Sequence, residues 1–369
     1  MMLKDIKKSL SHAYGKGLSP SQTARVDTAS KLIYAIISGK HCSLQRLGEH
    51  LPAHTDLESR IKKAKRFLSS KYTDFQTFYL PHLHLLFERL KEKELVFMID
   101  GSEVGIGCTA LMVSVQWRNR ALPVCWLVRK GEKGHMPVSA HLDVLRTLVE
   151  VLPQTHKPVV LLGDGEFDSS LLQDFCQAQG WAYVVRTAKN ATINTHPSLE
   201  GAFPIASLYP MEAHDYWLVE SVYFTNKLFG PVNAMVWHHT KCQEPIYLIS
   251  NVEWAKDIMD YYERRFLIET MFRDVKSSGF NIHKVRIKKP EILHALLILV
   301  SIAYLVTAAF GAFESKWKQF RAKFARKDRM QELSIFQIGL RAIGYCIKNR
   351  IKIPPKFSKN FFNYFCVRF

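Results

Sequence analysis

Apolar positions recur at helical spacing through the first quarter of the chain. Leu32, Ile33, Ile36 and Ile37 form one face, the Ser-Pro-Ser at 19–21 and Asp27 offer helix starts, and Ser38-Gly39-Lys40 interrupts the pattern. The segment 43–51 (SLQRLGEHL) predicts a second short helix. Helix, glycine-containing turn and helix in succession resemble a helix-turn-helix, although many helical domains share that pattern. Near Glu94 the texture changes. LVFMID (95–100) is an apolar strand ending in an acid, and 109–117 and 121–129 predict a hairpin around Arg118-Asn119-Arg120. Further along lie a helix over 138–151, a strand over 157–163 stopping at Asp164-Gly165, a helix over 168–180 capped by Asp168, and a strand over 181–187. This is an α/β pattern with a mixed sheet. Short strands then fill a β-rich insertion at about 188–250, and one long helix is predicted from about Ala255 to Ser277.

The run Ile292–Phe313 is apolar on all sides and long enough to span a bilayer. His294, Ser301, Tyr304 and Thr307, with no second such run, favour a buried core helix and no membrane. Three regions result: helical 1–88, an α/β unit at 89–290, and a helical, basic C-terminal region at 291–369.

Charge changes the picture most. The 369 residues carry 51 Lys and Arg against 33 Asp and Glu, a net +18, which points to a polyanionic partner, nucleic acid first. Arg60, Lys63 and Arg66 lie in a stretch without acids (60–71), which reads either as a solvated helix face or as a phosphate-contacting surface. Residues 314–329 are also strongly basic. The seven cysteines are scattered without a C-x-x-C pair, which argues against disulfides or zinc and suits a reducing compartment. The basic N-terminus lacks the apolar segment of a signal peptide.

Three acids have a setting for chemistry. Asp100 and Asp164 lie at strand ends, and Glu269 lies in the helix predicted over 255–277. Carboxylate oxygens suit Mg²⁺, and a pair of such ions about 3.5–4 Å apart can drive in-line phosphoryl transfer. On a continuous helix Tyr262, Arg265, Glu269 and Lys276 fall within about a 60° arc. One face would then present a metal ligand flanked by an Arg fork, a Lys and a Tyr hydroxyl, unless it is simply a solvated charged face.

The spacing Y-x2-R-x3-E-x6-K, with the stretches 99–105 and 161–168 upstream, resembles the DDE transposases of bacterial insertion sequences, specifically the insertion-sequence-four family. The resemblance covers about residues 60–312. It implies a ribonuclease H-like core interrupted by a β-rich insertion, with Asp100, Asp164 and Glu269 as catalytic residues holding two Mg²⁺, Mn²⁺ being a substitute. It further implies Tyr262, Arg265 and Lys276 at DNA phosphates. Substrates would be double-stranded DNA, the element's terminal inverted repeats and target DNA, with cleavage followed by strand transfer through a hairpin in related members. A homodimer in the DNA complex and a cytoplasmic, nucleoid-associated location in a bacterium are expected. Related members stack a flipped base on a Trp of the insertion. Here the matching strand offers Tyr247, with Trp237 ten residues earlier, and each also reads as a core aromatic.

Glu103, Glu166 and Asp168 stand close in sequence to the acids; Asp168 reads as a helix cap and the other two as exposed acids. His238-His239 and His82/His84 lack metal-site spacing. Two rival functions are a metal-dependent nuclease of the same fold without strand transfer and a catalytically inactive DNA-binding protein. Three close carboxylates should repel without a metal, which argues against the inactive form.

Overall fold

The computed structural model describes residues 2–314, 333–351 and 361–366, except 16, 135, 155, 198–200, 209–211, 213 and 214. The basic segment 314–329 lies almost wholly outside the described residues.

The chain opens with helices α1 (Met2–Ala13), α2 (Pro20–Gly39), α3 (Leu44–His50), α4 (Leu57–Leu68), α5 (Phe75–Phe78) and α6 (Leu80–Arg89). Ser19 starts α2 through a reciprocal capping box with Gln22, and Lys40 ends it in the left-handed region. The predicted break at 38–40 is therefore real. The α2–α3 turn is bound to the rest of the protein: Cys42 N–H donates to Phe280 O, and Asn281 donates to Lys40 O.

Next come β1 (Leu95–Val104), β2 (Cys108–Trp117), β3 (Arg120–Lys130), α7 (Val138–Val151), β4 (Val159–Gly163), α8 (Ser170–Ala178) and β5 (Ala182–Arg186). Strand order β3-β2-β1-β4-β5 combines an antiparallel meander with strands parallel to β1. This mixed sheet with flanking helices is consistent with a ribonuclease H-like core. β1 runs past Asp100 to Val104, so Asp100 lies inside the strand rather than at its end. The polar Gly-Ser-Glu after it pairs with β2 and does not terminate the strand.

The insertion contributes β6 (Thr192–Asn194), β7 (Phe203–Pro204), β8 (Tyr216–Phe224), β9 (Phe229–Trp237) and β10 (Ile246–Ser250). β10 pairs antiparallel with β5, so the insertion extends the same sheet to ten strands in the order β3-β2-β1-β4-β5-β10-β9-β8-β6-β7.

The predicted long helix is two: α9 (Ala255–Arg265) and α10 (Leu267–Val275), broken at Phe266 without Gly or Pro. Tyr261 Oη and Arg264 Nη1 both donate to the Glu94 carboxylate, at 2.6 and 2.9 Å, and so tie α9 to the entrance of β1. Helix α11 (Pro290–Glu314) is long and apolar enough to cross a membrane, yet its apolar stretch is wholly buried in the protein. It packs on α12 (Ile335–Lys348), with Gly311 and Gly339 at the crossing. A helix apolar all round fits such a central position.

Candidate active site

The parallel register of β1 and β4 pairs Met98 with Leu162. Continued two residues, it brings Asp100 level with Asp164, the residue just past the end of β4. Asp164 caps a 3₁₀ turn (Gly165–Phe167), its Oδ1 accepting from Glu166 N–H at 3.0 Å. Arg265 closes the cluster from the end of α9. Its Nη1 lies 3.9 Å from Asp100 Oδ2 and 3.9 Å from Asp164 Oδ2, and its Nη2 donates to Glu269 Oε1. Three acids from three elements thus surround one buried guanidinium.

The electrostatics arise from that packing. Burial pushes the Asp100 carboxyl up; Lys133 counters this most strongly, Asp164 adds to it and Arg265 opposes it. Burial works against the Arg265 charge, but Tyr262, Glu269, Asp100 and Asp164 together raise its pKa. Guanidinium is therefore the resident counter-ion. The repulsion expected between these acids is present, since Asp164 adds to the upward shift of Asp100, and Arg265 and Lys133 offset it only in part.

Among the described residues no group of three His, Cys, Asp or Glu side chains is arranged to hold a metal ion. The donor chemistry nevertheless fits a hard divalent cation: the acids offer only oxygens, and together they already surround a positive charge. Arg265 would have to withdraw to admit the ion.

Of the other sequence candidates, Tyr262 is buried beside Arg265, and burial raises its hydroxyl pKa. Lys276 caps α10 off the helical path, so the single-face arrangement drawn for a continuous helix does not form. Burial lowers the Lys276 pKa, Glu103 and Asp100 oppose that, and Lys133 adds to it. Tyr247 on β10 and Trp237 on β9 are both buried, whereas Trp217 on β8 and Trp254 at the start of α9 are exposed. Arg60 directs Nη1 to the carbonyls of Glu49 and Leu51 at 3.5 Å each. Lys63 is half-buried and Arg66 exposed on α4.

Sequence reading missed two groups. Glu166 is not an exposed acid: its Oε1 accepts from Met136 N–H at 3.2 Å and lies 3.5 Å from His141 Nε2, too far for a well-formed hydrogen bond. Burial acts to raise its pKa, but contacts from His141 and Met136 outweigh that and leave it lowered. Lys133, in the loop between β3 and α7, places Nζ 2.9 Å from Asp100 Oδ1. Only the glycines on either side, Gly131 and Gly134, signalled that loop; both have positive φ. Asp168 does not cap α8. Ser169 does, while Asp168 Oδ2 accepts from Thr187 Oγ1 at 2.7 Å. Cys42, Cys108, Cys125 and Cys176 are buried free thiols.

Residues 138–306 match the family model described as the transposase DDE domain. The match supports a DDE transposase, for which DNA binding and divalent-metal dependence are expected. It includes Asp164, Tyr262, Arg265, Glu269 and Lys276; Asp100 and Lys133 precede it. A comparison with curated proteins found no match.

Proposed function

We propose that the chain is a transposase of the insertion-sequence-four type, which cuts DNA at the ends of an insertion sequence and joins them to target DNA. The observation that carries this reading is the meeting of Asp100, Asp164 and Glu269 around Arg265. The Y-x2-R-x3-E-x6-K spacing, the DDE-domain match and the net charge of +18 support it.

In this reading Asp100, Asp164 and Glu269 hold two Mg²⁺, with Mn²⁺ as a substitute. When bound, such ions polarise the scissile phosphate and activate a water or a 3′-hydroxyl. The chain's own cations do the positioning. Arg265, released from the acids, offers a planar fork to a phosphate beside the cut, and Lys276 adds a point charge. The Tyr262 ring lies 5.9 Å from Arg265 Cζ and keeps aromatic surface beside the guanidinium. Residues 1–88 form the DNA-binding region, 89–290 the catalytic domain with its insertion, and 291–369 a dimer or DNA contact. Two element ends are held by a homodimer.

The test is incubation with labelled element-end DNA in Mg²⁺ and in EDTA. Cleavage and joining should require the metal. Asp164→Ala should abolish both while leaving DNA binding intact; cleavage by that variant removes Asp164 from the site. Cleavage without any joined product would reduce the chain to a nuclease.

A further inference from the structure

We infer that Lys133 is a further residue of the active site: it neutralises Asp100 in the free protein and passes to a DNA phosphate when metal and DNA bind. This rests on the reading of Asp100 as a metal ligand.

The geometry starts at Asp100, whose side chain is 1% exposed and meets a cation on each oxygen: Lys133 Nζ at Oδ1, Arg265 Nη1 at Oδ2. The two cations differ. Arg265 is buried and bound to all three acids. Lys133 is 45% exposed and sits on a glycine-flanked loop, so its ammonium can leave Asp100 for solvent or substrate without unpacking a core. The loop is held in register by Glu166, which accepts from Met136 N–H and is itself set by the Asp164 cap. A β-carbon at Gly101 would stand 3.7 Å from Lys133 Cγ and 4.0 Å from Glu166 Oε2, so the lysine stem lies over the strand beside Asp100.

Charge balance decides where the lysine goes. Divalent ions on Asp100 would leave Lys133 without its partner, in a neighbourhood already holding Lys276. A phosphate beside the two lysines gives Lys133 back the single negative charge that the metal takes away, and a lysine gains more from a phosphate than from water when a like charge stands nearby.

Three variants test this: Lys133→Gln, Lys133→Arg and Asp100→Asn. Mn²⁺ binding is measured by calorimetry without DNA. Binding to a linear duplex of arbitrary sequence is measured in Mn²⁺ over a range of salt. Lys133→Gln should bind Mn²⁺ about fivefold more tightly, since a half-exposed competing cation is removed. Its slope of log affinity against log salt should shrink by about one contact. Lys133→Arg should behave like the parent in both. If Lys133→Gln leaves either quantity unchanged, the inference is overturned. If Asp100→Asn loses Mn²⁺ while Lys133→Gln matches the parent, the metal-ligand reading stands and only the lysine's role fails. If Asp100→Asn binds Mn²⁺ as the parent does, the reading beneath it fails first.

Discussion

Arg120 on β3 and Asp274 on α10 face each other at 3.7 Å, with side chains only 10% and 5% exposed. That distance makes a charge pair and not a hydrogen bond. Burial pushes the Asp274 carboxyl up to about 6, against the pull of Arg120 and Arg273. An unfolded Asp titrates near about 3.9. The folded state therefore holds a proton that the unfolded state has lost, and stability falls as pH rises from about 4 to about 6. The loss is on the order of 3 kcal/mol. Urea melts of the parent and Asp274→Asn across that range should differ in slope; parallel curves would disprove the shift.

Arg265→Met should destabilise the protein at neutral pH by about 3 kcal/mol, because Asp100 and Asp164 would remain close together without their shared counter-ion. Acid should recover part of that loss as Asp100 takes up a proton, and so should Mn²⁺. Denaturant midpoints at pH 7.5 and pH 5, with and without the ion, check both recoveries.

At the α11–α12 crossing, a β-carbon on Gly339 would stand 1.9 Å from Thr307 O, and one on Gly311 would stand 1.8 Å from Ile335 O. Neither carbonyl can yield without moving a helix. Gly339→Ala should lower stability by about 3 kcal/mol or prevent soluble expression. Gly344→Ala on the same helix meets nothing within 4 Å and should gain up to about 1 kcal/mol from propensity. Melting temperatures moving in the same direction would disprove this account of the crossing.

Ser19→Ala removes one half of the α2 capping box, where Gln22 N–H donates to Ser19 Oγ at 3.3 Å and Ser19 N–H donates to Gln22 Oε1 at 2.9 Å. The expected penalty is about 1 kcal/mol, read from chemical denaturation. An unchanged midpoint would mean that tertiary packing alone holds the start of α2.

Local patterns were legible wherever local chemistry decides. The α2 cap, the β2–β3 hairpin, α7 and the strand before Asp164 all formed where periodicity and cap residues placed them. What was hidden depends on partners distant in the chain. Asp100 reads as a strand end because Gly-Ser-Glu comes next, yet β2 supplies hydrogen-bond partners through Val104. The break at Phe266 has no sequence marker; tethering of α9 to Glu94 and packing of α10 on β1 and β3 set the two helix directions separately. Glu166 and Lys133 could not be found from spacing, since their roles arise only when a loop folds back over β1.

Because β10 pairs directly with β5, the insertion strands and the strand bearing Asp100 belong to one continuous hydrogen-bonded sheet. A load applied at the distant edge is carried through backbone hydrogen bonds to the strand beside Asp164.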